Sequence, residues 1–374
     1  MSPYAHITGW GMAVPEKVLT NADLAKKVDT DDAWIQSRTG IRERRIASSE
    51  QTTASLATDA ALQALEVARM NPGELDLIIV ATSSPEHVFP ATACLVQDRL
   101  GASKAGAFDL LAACSGFIFA LNIATQVIRS GSLKNVLVIG SETLSRLVDW
   151  SDRNTCVLFG DGAGAFVLQA GEEYAGVISS VMRSDGSGGD LLCVPAGGSF
   201  APASLETVAT GKHFIKMNGR EVFRFATRVM AQATEETVKA AGLKLEDIQL
   251  FIPHQANQRI IEAALRSLNV TMDRCVVNID RYGNTSTASI PIATCEAVRD
   301  GRLKAGDRLV LVGFGAGLTW GAALAIWSGA PLPGVRPALS LPLRLRLYAR
   351  LRSLIRRILR RIDALIWGRH NPYL

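Results

Sequence analysis

Two kinds of hydrophobic pattern alternate along the first 330 residues of this chain. Short runs that are apolar at nearly every position predict buried strands, and apolar positions three and four residues apart predict helices. The apolar runs are residues 77–80, 135–140, 250–253 and 308–313, and helix-period segments at 56–70 and 225–241 precede the first and third of them. Continuous apolar strands that alternate with helices indicate parallel sheets covered by helices on both faces.

These strands recur at a fixed distance along the chain. The runs that begin at residues 77 and 135 recur at 250 and 308, so both pairs are 173 positions apart. A helix–strand unit that recurs with constant spacing predicts two related α/β halves. We place the first half at residues 1–172 and the second at 173–328.

A different pattern begins after residue 328. Four prolines between 329 and 342 predict an extended linker. From 343 to 368 apolar residues recur at helical spacing, which predicts an amphipathic helix with a basic polar face. Its apolar positions are Leu347, Leu351, Leu354, Ile355, Ile358, Ile362, Leu365 and Ile366, and its basic positions are Arg346, Arg350, Arg352, Arg356, Arg357, Arg360 and Arg361. Such a helix suits an anionic membrane surface, but docking on the body or on a partner subunit, and contact with a carrier protein, remain open.

The charge of the chain is divided between body and tail. The chain carries +5, while residues 331–374 hold ten Arg and one Asp and carry +9, which leaves −4 on the rest. The body shows no basic face with interleaved aromatic residues, so nucleic acid is not expected as a partner. Six cysteines without a CxxC pair make disulfides and a metal site unexpected. No leader pattern or membrane-spanning run is present, so we expect a cytoplasmic protein, with peripheral association at the inner face of the membrane as a further possibility.

Candidate chemistry centres on Cys114. It follows the strand-like segment 106–111 and precedes an apolar helix, so it sits on a strand-to-helix elbow between small residues. A helix N-terminus stabilises thiolate over thiol, which favours a nucleophile, although a lone cysteine is more often buried and inert. Two later segments, 252–257 with His254 and 281–289 with Asn284, each follow an apolar run and precede a helix-like stretch.

The Cys114 elbow, the segments 252–257 and 281–289, and the later segment 314–320 occur in a characteristic order and at characteristic separations. In these motifs the chain closely resembles the β-ketoacyl-[acyl-carrier-protein] synthase III family of the thiolase superfamily. The resemblance covers residues 3–328. It implies a duplicated thiolase-like fold, a five-layer αβαβα sandwich, to which this chain adds the C-terminal amphipathic helix. It also implies a homodimer that condenses an acyl-CoA primer with malonyl-ACP through an acyl-Cys intermediate, with no permanently bound cofactor. The alternatives are a related condensing enzyme of specialised metabolism and a non-catalytic membrane-binding scaffold on this fold.

The resemblance also implies individual roles. Cys114 would carry the acyl group, and His254 and Asn284 would stabilise the enolate formed when malonyl loses CO₂. The backbone N–H groups of Cys114 and Ala316 would form the oxyanion hole, although the family usually has Gly at the position of Ala316. The contacts to coenzyme A and its pantetheine arm would come from Thr30, Trp34, Arg38, Arg153, Gly219 and Asn257. The acyl pocket would involve Phe89, inserted from the partner subunit, and Leu318, and the carrier protein would dock on Arg224, Arg259 and Arg266.

Overall fold

In the computed structural model the described residues are 2–329 and 341–367. Most of the predicted linker 329–342 therefore lies outside the described residues. Within the terminal helix, side chains are described only at 348, 349 and 351–362. The strands are β1 (Tyr4–Ala13), β2 (Val18–Thr20), β3 (Glu43–Arg45), β4 (Leu77–Ala81), β5 (Gly106–Leu110), β6 (Asn135–Glu142), β7 (Gly162–Gly171), β8 (Gly176–Ser184), β9 (Leu192–Cys193), β10 (Lys216–Met217), β11 (Leu250–Pro253), β12 (Arg308–Gly315) and β13 (Thr319–Ile326). The α-helices are α1 (Asn21–Ala25), α2 (Asp32–Thr39), α3 (Thr53–Val67), α4 (Thr92–Leu100), α5 (Gly116–Arg129), α6 (Arg153–Cys156), α7 (Leu205–Ala209), α8 (Gly219–Ala240), α9 (Gln258–Leu268), α10 (Ile279–Tyr282), α11 (Ser289–Arg299) and α12 (Leu341–Trp367).

The main sheet has the strand order β11-β12-β13-β8-β1-β7-β6-β4-β5. In the first half β4 pairs in parallel with β5 and β6, and in the second half β11 pairs in parallel with β12. The strands β4 and β11 begin 173 residues apart, as do β6 and β12, so the predicted repeat corresponds to matching strands. One residue pair, Ala5 with Val177, joins β1 of the first half to β8 of the second. The predicted boundary at 172 falls between β7 and β8 and stays a prediction.

Helices α5 and α11 form the middle layer of the fold. Each contacts strands of both halves, because α5 packs on β6 and β13 and α11 packs on β7 and β11. Both are apolar around most of their circumference, as a helix between two sheets must be. Helices α3 and α4 cover the outer face of the first half, and α8 and α9 cover that of the second. The predicted five-layer αβαβα arrangement is therefore confirmed.

The outer helices extend beyond the periodic segments from which they were predicted. Helix α3 begins before residue 56 because Thr52 caps it, and the Thr52 hydroxyl accepts a hydrogen bond from the Ser55 N–H at 3.2 Å. Helix α8 begins before residue 225 because the side chain of Asn218 caps it in the same way. Apolar periodicity marks the buried part of a helix, whereas polar caps decide where it begins.

Helix α12 is the predicted amphipathic helix, and it lies against the body. Ala349 is 2% exposed and packs over Gly101, the residue that ends α4. Around it, Arg352 donates to the Gly101 carbonyl at 3.0 Å and the Ser353 hydroxyl donates to Asp98 at 2.7 Å. Arg357 lies 3.4 Å from the same Asp98 carboxylate. The polar side of α12 therefore faces α4.

Candidate active site

Cys114 lies in a short 3-10 turn, Ala113–Ser115, between β5 and α5. Ala113 adopts a left-handed φ of 46°, which makes the bend sharp, so the thiol occupies the predicted elbow. Cys114 is only 8% exposed. Burial raises the pKa of the Cys114 thiol to about 12. Desolvation therefore opposes the stabilisation of the thiolate that is expected from the helix terminus.

His254 follows β11 directly and is 1% exposed. Its Nδ1 lies 2.7 Å from the Ser289 hydroxyl, and that hydroxyl accepts the Gln255 N–H at 3.4 Å. A hydroxyl that accepts from Gln255 is oriented to donate to Nδ1, which leaves the proton of the neutral ring on Nε2. Nε2 is buried and has no hydrogen-bond partner among the described residues. Burial also lowers the pKa of His254 to about 3, so the ring is a neutral donor.

Asn284 lies in the segment between α10 and α11. Its side-chain oxygen accepts the Ser286 N–H at 2.8 Å, which leaves the amide NH₂ to act as a donor. The segment packs tightly on β6, since a Cβ on Gly140 would lie 2.3 Å from the Thr287 carbonyl oxygen. Only glycine permits this approach, so Gly140 positions the Asn284 segment against the first half of the fold.

Two cavities meet at Cys114. The inner cavity, of about 500 Å³, is mainly apolar, and its walls include Leu111, Leu144, Phe159, Leu192 and Ala316. The outer cavity, of about 590 Å³, is more polar, and its lining includes Trp34, Arg38, Gly219, Asn257, His254 and Asn284. Cys114 lines both cavities. A group that enters through the outer cavity therefore meets the thiol together with His254 and Asn284, and an acyl chain on the sulfur has the inner cavity to occupy.

The remaining predicted residues divide into those at the cavities and those away from them. Arg224 and Arg259 line the outer cavity, whereas Thr30, Arg153 and Arg266 do not. Arg153 stacks on the Trp34 ring at 4.2 Å and so supports the wall from outside. Asn257 has a structural task as well, because it caps α9 and donates to the Arg38 carbonyl at 3.0 Å.

The two predicted acyl-pocket residues, Phe89 and Leu318, do not line the inner cavity of one chain. Phe89 is 84% exposed on the surface. Leu318 packs over Gly188, whose added Cβ would lie 2.4 Å from it.

Three residues beside the site had no predicted role: Glu142, Ser286 and Ser289. Glu142 is fully buried at the end of β6 and accepts a hydrogen bond from the Thr287 hydroxyl at 3.2 Å, and Ser286 lines the inner cavity beside Cys114. A charged residue that ends an otherwise apolar strand is a signal that points to Glu142. Ser286 and Ser289 flank Asn284 in the motif, but only their tertiary contacts identify what they touch.

Comparison with known proteins identifies the family. Family models for the 3-oxoacyl-[acyl-carrier-protein] synthase III domain and for its C-terminal domain match residues 108–186 and 238–327. The β-ketoacyl-[acyl-carrier-protein] synthase III of Desulfitobacterium hafniense is 56% identical over 322 residues, covering 86% of this chain and 97% of that protein. The corresponding protein of Roseiflexus sp. is 53% identical over 328 residues, covering 88% of this chain and 100% of its own. The chain belongs to the β-ketoacyl-[acyl-carrier-protein] synthase III family.

The structure of the Aquifex aeolicus synthase III has a TM-score of 0.80 to this chain and is 50% identical, covering 86% of this chain and 100% of its own. Like other members of the family, this chain is an acyltransferase of the condensing type. It condenses an acyl-CoA primer with malonyl-ACP, the step that initiates fatty acid synthesis. The two predicted alternatives, a condensing enzyme of specialised metabolism and a non-catalytic scaffold, are not favoured by these relatives.

Residues 2–329 and 341–367 contain no group of three or more His, Cys, Asp or Glu side chains that could hold a metal ion. In the same residues no helix is both long and apolar enough to cross a membrane. The family-model matches end at residue 327, so α12 lies beyond them.

Proposed function

We propose that Cys114, His254 and Asn284 carry the two half-reactions of this synthase. In the first, the Cys114 sulfur attacks the acyl-CoA carbonyl and coenzyme A leaves. In the second, malonyl-ACP loses CO₂ and its enolate attacks the acyl-Cys carbonyl. The position of Cys114 at the meeting point of the two cavities is the observation that carries this proposal.

The oxyanion of the first half-reaction needs donors fixed where its charge develops. We assign these to the N–H groups of Cys114 and Ala316. An added Cβ on Gly315 would lie 2.6 Å from the Cys114 nitrogen, so the end of β12 approaches the nucleophile turn closely. This close approach supports an oxyanion hole formed by the backbone N–H groups of Cys114 and Ala316. An alanine at position 316 is compatible with this role, because only its N–H group is used.

We assign the stabilisation of the enolate in the second half-reaction to His254 and Asn284. Both present an N–H donor that does not have to give up its proton, His254 through Nε2 and Asn284 through its amide. A neutral imidazole suits this task, because its ability to donate then does not change across the physiological pH range.

An acyl-transfer assay tests the nucleophile directly. The protein is mixed with acyl-CoA alone and its intact mass is followed. The wild type should gain one acyl group and Cys114→Ala should gain none. A Cys193→Ala variant is a matched control, because Cys193 also lines the inner cavity but lies away from the elbow. An acyl adduct on Cys114→Ala would refute the assignment.

The outer cavity is proposed to bind coenzyme A and the pantetheine arm of the carrier protein. Trp34 offers a flat apolar face and Arg38 a positive charge, which together suit an adenine ring and phosphate groups. Arg153 and Thr30 are proposed to contribute at the edge of this clamp. Gly219 and Asn257 line the path toward Cys114.

The carrier protein itself is proposed to dock on Arg224, Arg259 and Arg266. The Arg224 side chain is 72% exposed at the rim of the outer cavity, and its ion pair with Glu221 is too exposed to hold it strongly. Arg259 lies over the Phe223 ring at 5.5 Å. Arg266 is two helical turns farther along α9. Arg224 and Arg259 present positive charge to an acidic partner at the cavity mouth, and Arg266 extends that charge along α9.

A homodimer is proposed to form through the edge strand β5. This strand ends the sheet, so one of its edges has no strand partner among the described residues. Val88, Phe89 and Leu111 are 89%, 84% and 78% exposed, and large apolar side chains exposed in this way suit a contact with a second copy of the chain. Leu111 also lines the inner cavity, so that cavity reaches the same surface, where Phe89 of a second copy is proposed to enter.

We also propose that α12 holds the synthase at an anionic membrane surface of the cytoplasm. Because Ala349, Arg352 and Ser353 face α4, the apolar side of α12 points away from the body. The exposed apolar side chains on that side are Tyr348, Leu351, Leu354, Ile355, Ile358, Leu359 and Ile362. Exposed Arg356, Arg360 and Arg361 flank them, and this combination suits the boundary between anionic headgroups and acyl chains.

A further inference from the structure

His254 and Asn284 lie on different parts of the fold, yet both have to reach the same enolate oxygen. His254 directly follows β11, whereas Asn284 lies just after α10. Two donors stabilise an enolate only where both are within hydrogen-bond distance of its oxygen, and a misplacement of about 1 Å costs on the order of 10²-fold in rate. The second half-reaction therefore depends on what fixes the separation of these two segments.

Gln255 is a buried residue whose side-chain amide joins the two segments. It is 1% exposed. Its Nε2 donates to the Pro253 carbonyl at 2.8 Å and to the Val276 carbonyl at 3.1 Å, and its Oε1 accepts the Asn278 N–H at 3.0 Å. A flipped amide would place its NH₂ against an N–H group and its oxygen against two carbonyls, so these three partners fix its orientation. The amide therefore ties the end of β11 to the segment 276–278.

The segment that Gln255 holds leads through α10 to Asn284. Asn278 directly precedes α10, and its side chain donates to the buried Glu296 carboxylate of α11 at 2.8 Å. At the other end of α10 the Tyr282 hydroxyl donates to the same carboxylate at 2.6 Å. Because this helix is only four residues long and is held at both ends, a displacement of Asn278 displaces Asn284 as well.

The main chain of Gln255 is equally close to His254. The Gln255 N–H donates at 3.4 Å to the Ser289 hydroxyl, and the same hydroxyl lies 2.7 Å from Nδ1 of His254. Gln255 is also the next residue in the chain, so holding it holds the peptide from which the imidazole projects. Gln255 lines neither of the cavities that meet at Cys114. It therefore acts on the site through its neighbours and not by touching a substrate.

We propose that Gln255 is a positioning residue for the second half-reaction, because it sets the separation between the donors of His254 and Asn284. This rests on the proposed role of these two residues in stabilising the enolate. The first half-reaction uses the Cys114 thiol and backbone N–H groups, and the Gln255 amide forms no hydrogen bond with them. Gln255 is therefore needed for condensation and not for acylation.

A Gln255→Met variant removes the amide and keeps a side chain of similar length. Acylation by acyl-CoA alone is followed by intact mass, and condensation with malonyl-ACP is measured separately to obtain kcat and KM. We expect kcat of condensation to fall about 10²-fold, the cost of a donor displaced by about 1 Å. The acylation rate and the KM for malonyl-ACP should stay at their wild-type values. Wild-type condensation in folded Gln255→Met, or an equal loss of acylation, would overturn the proposal.

A double variant separates positioning from a general effect on packing. In His254→Ala one of the two donors is already gone, so adding Gln255→Met should slow condensation by a smaller factor than it does in the wild type. A purely structural role predicts the same factor in both backgrounds. Wild-type condensation in His254→Ala alone would instead refute the proposed function, which keeps the two failures distinct.

A second variant covers the case in which Gln255→Met folds poorly. Gln255→Glu has the same shape, keeps an acceptor for the Asn278 N–H and loses at least one of the two donors. It should also slow condensation while leaving acylation unchanged, and equal losses in the two half-reactions would again overturn the proposal.

Gln249→Met is the matched control at the opposite end of β11. Gln249 donates to the Asp247 carbonyl at 3.1 Å and accepts the Arg308 N–H at 2.8 Å, so the same substitution removes the same kind of amide. It should change neither half-reaction, because these partners lie away from His254 and Asn284. A loss of condensation as large as that of Gln255→Met would show that the effect is not specific to position 255 and would overturn the proposal.

Discussion

Adding one methyl group to Gly315 should disable the nucleophile while leaving the fold intact. Gly315 ends β12, and a Cβ there would lie 2.6 Å from the Cys114 nitrogen and 3.0 Å from the Ala113 Cβ. Ordinary contacts of a Cβ begin at 3.4 Å, so in Gly315→Ala the turn that carries Cys114 must move by about 0.8 Å. A misplacement of about 1 Å costs on the order of 10²-fold in rate, because the reacting atoms no longer meet in a productive geometry.

The assay is acyl transfer from acyl-CoA to the protein, followed by intact mass beside a thermal unfolding curve. We expect Gly315→Ala to acylate about 10²-fold more slowly, with a loss of stability of about 1–3 kcal/mol from overpacking. Gly313→Ala is the matched control, since its added Cβ would meet Ile290 at 3.4 Å and His254 at 3.6 Å, which are ordinary contacts. The reasoning fails if folded Gly315→Ala acylates at the wild-type rate, or if Gly313→Ala loses as much activity.

Four further results are expected. His254→Ala should acylate normally but condense about 10²–10³-fold more slowly, because the enolate loses a donor; equal loss of both half-reactions would instead make His254 the base for Cys114. Charge reversal at Arg224 and Arg259 should raise KM for malonyl-ACP and leave acylation by acyl-CoA unchanged, and unchanged KM would place the carrier protein elsewhere. A chain ending at Gly329 should retain condensation activity but no longer sediment with anionic vesicles. The membrane role of α12 would be refuted if the full-length chain does not bind such vesicles at low salt, or if the truncated chain unfolds. Burial lowers the pKa of His254 to about 3, so the imidazole takes up a proton in the unfolded state before it does so in the native state. The free energy of unfolding of the wild type should therefore fall more steeply than that of His254→Gln as the pH drops from about 6.5 toward 3. The same pH dependence in both proteins would contradict this.

Local sequence was sufficient to predict much of this synthase. Apolar runs and helical periods predicted the main strands and helices, because burial on one or both faces imposes those spacings on a chain. The constant offset of 173 positions predicted the duplication, which appears as the matching strands β4 with β11 and β6 with β12. Cys114, His254 and Asn284 could be selected because each lies in a short motif whose residues are neighbours in sequence.

The properties that depend on packing were decided by the tertiary structure. Glu142 and Thr287 lie 145 positions apart, and the close approach at Gly140 accompanies a hydrogen bond of 3.2 Å from the Thr287 hydroxyl to the Glu142 carboxylate. The raised pKa of the Cys114 thiol follows from burial by several elements, which a local motif does not encode. The amphipathic pattern of α12 was visible in the sequence, but the sequence did not show which side faces outward. That orientation follows from the packing of Ala349 on Gly101 and from the hydrogen bonds of α12 to Gly101 and Asp98. Periodicity and motifs are local quantities, whereas desolvation and contact between distant segments exist only once the chain has folded.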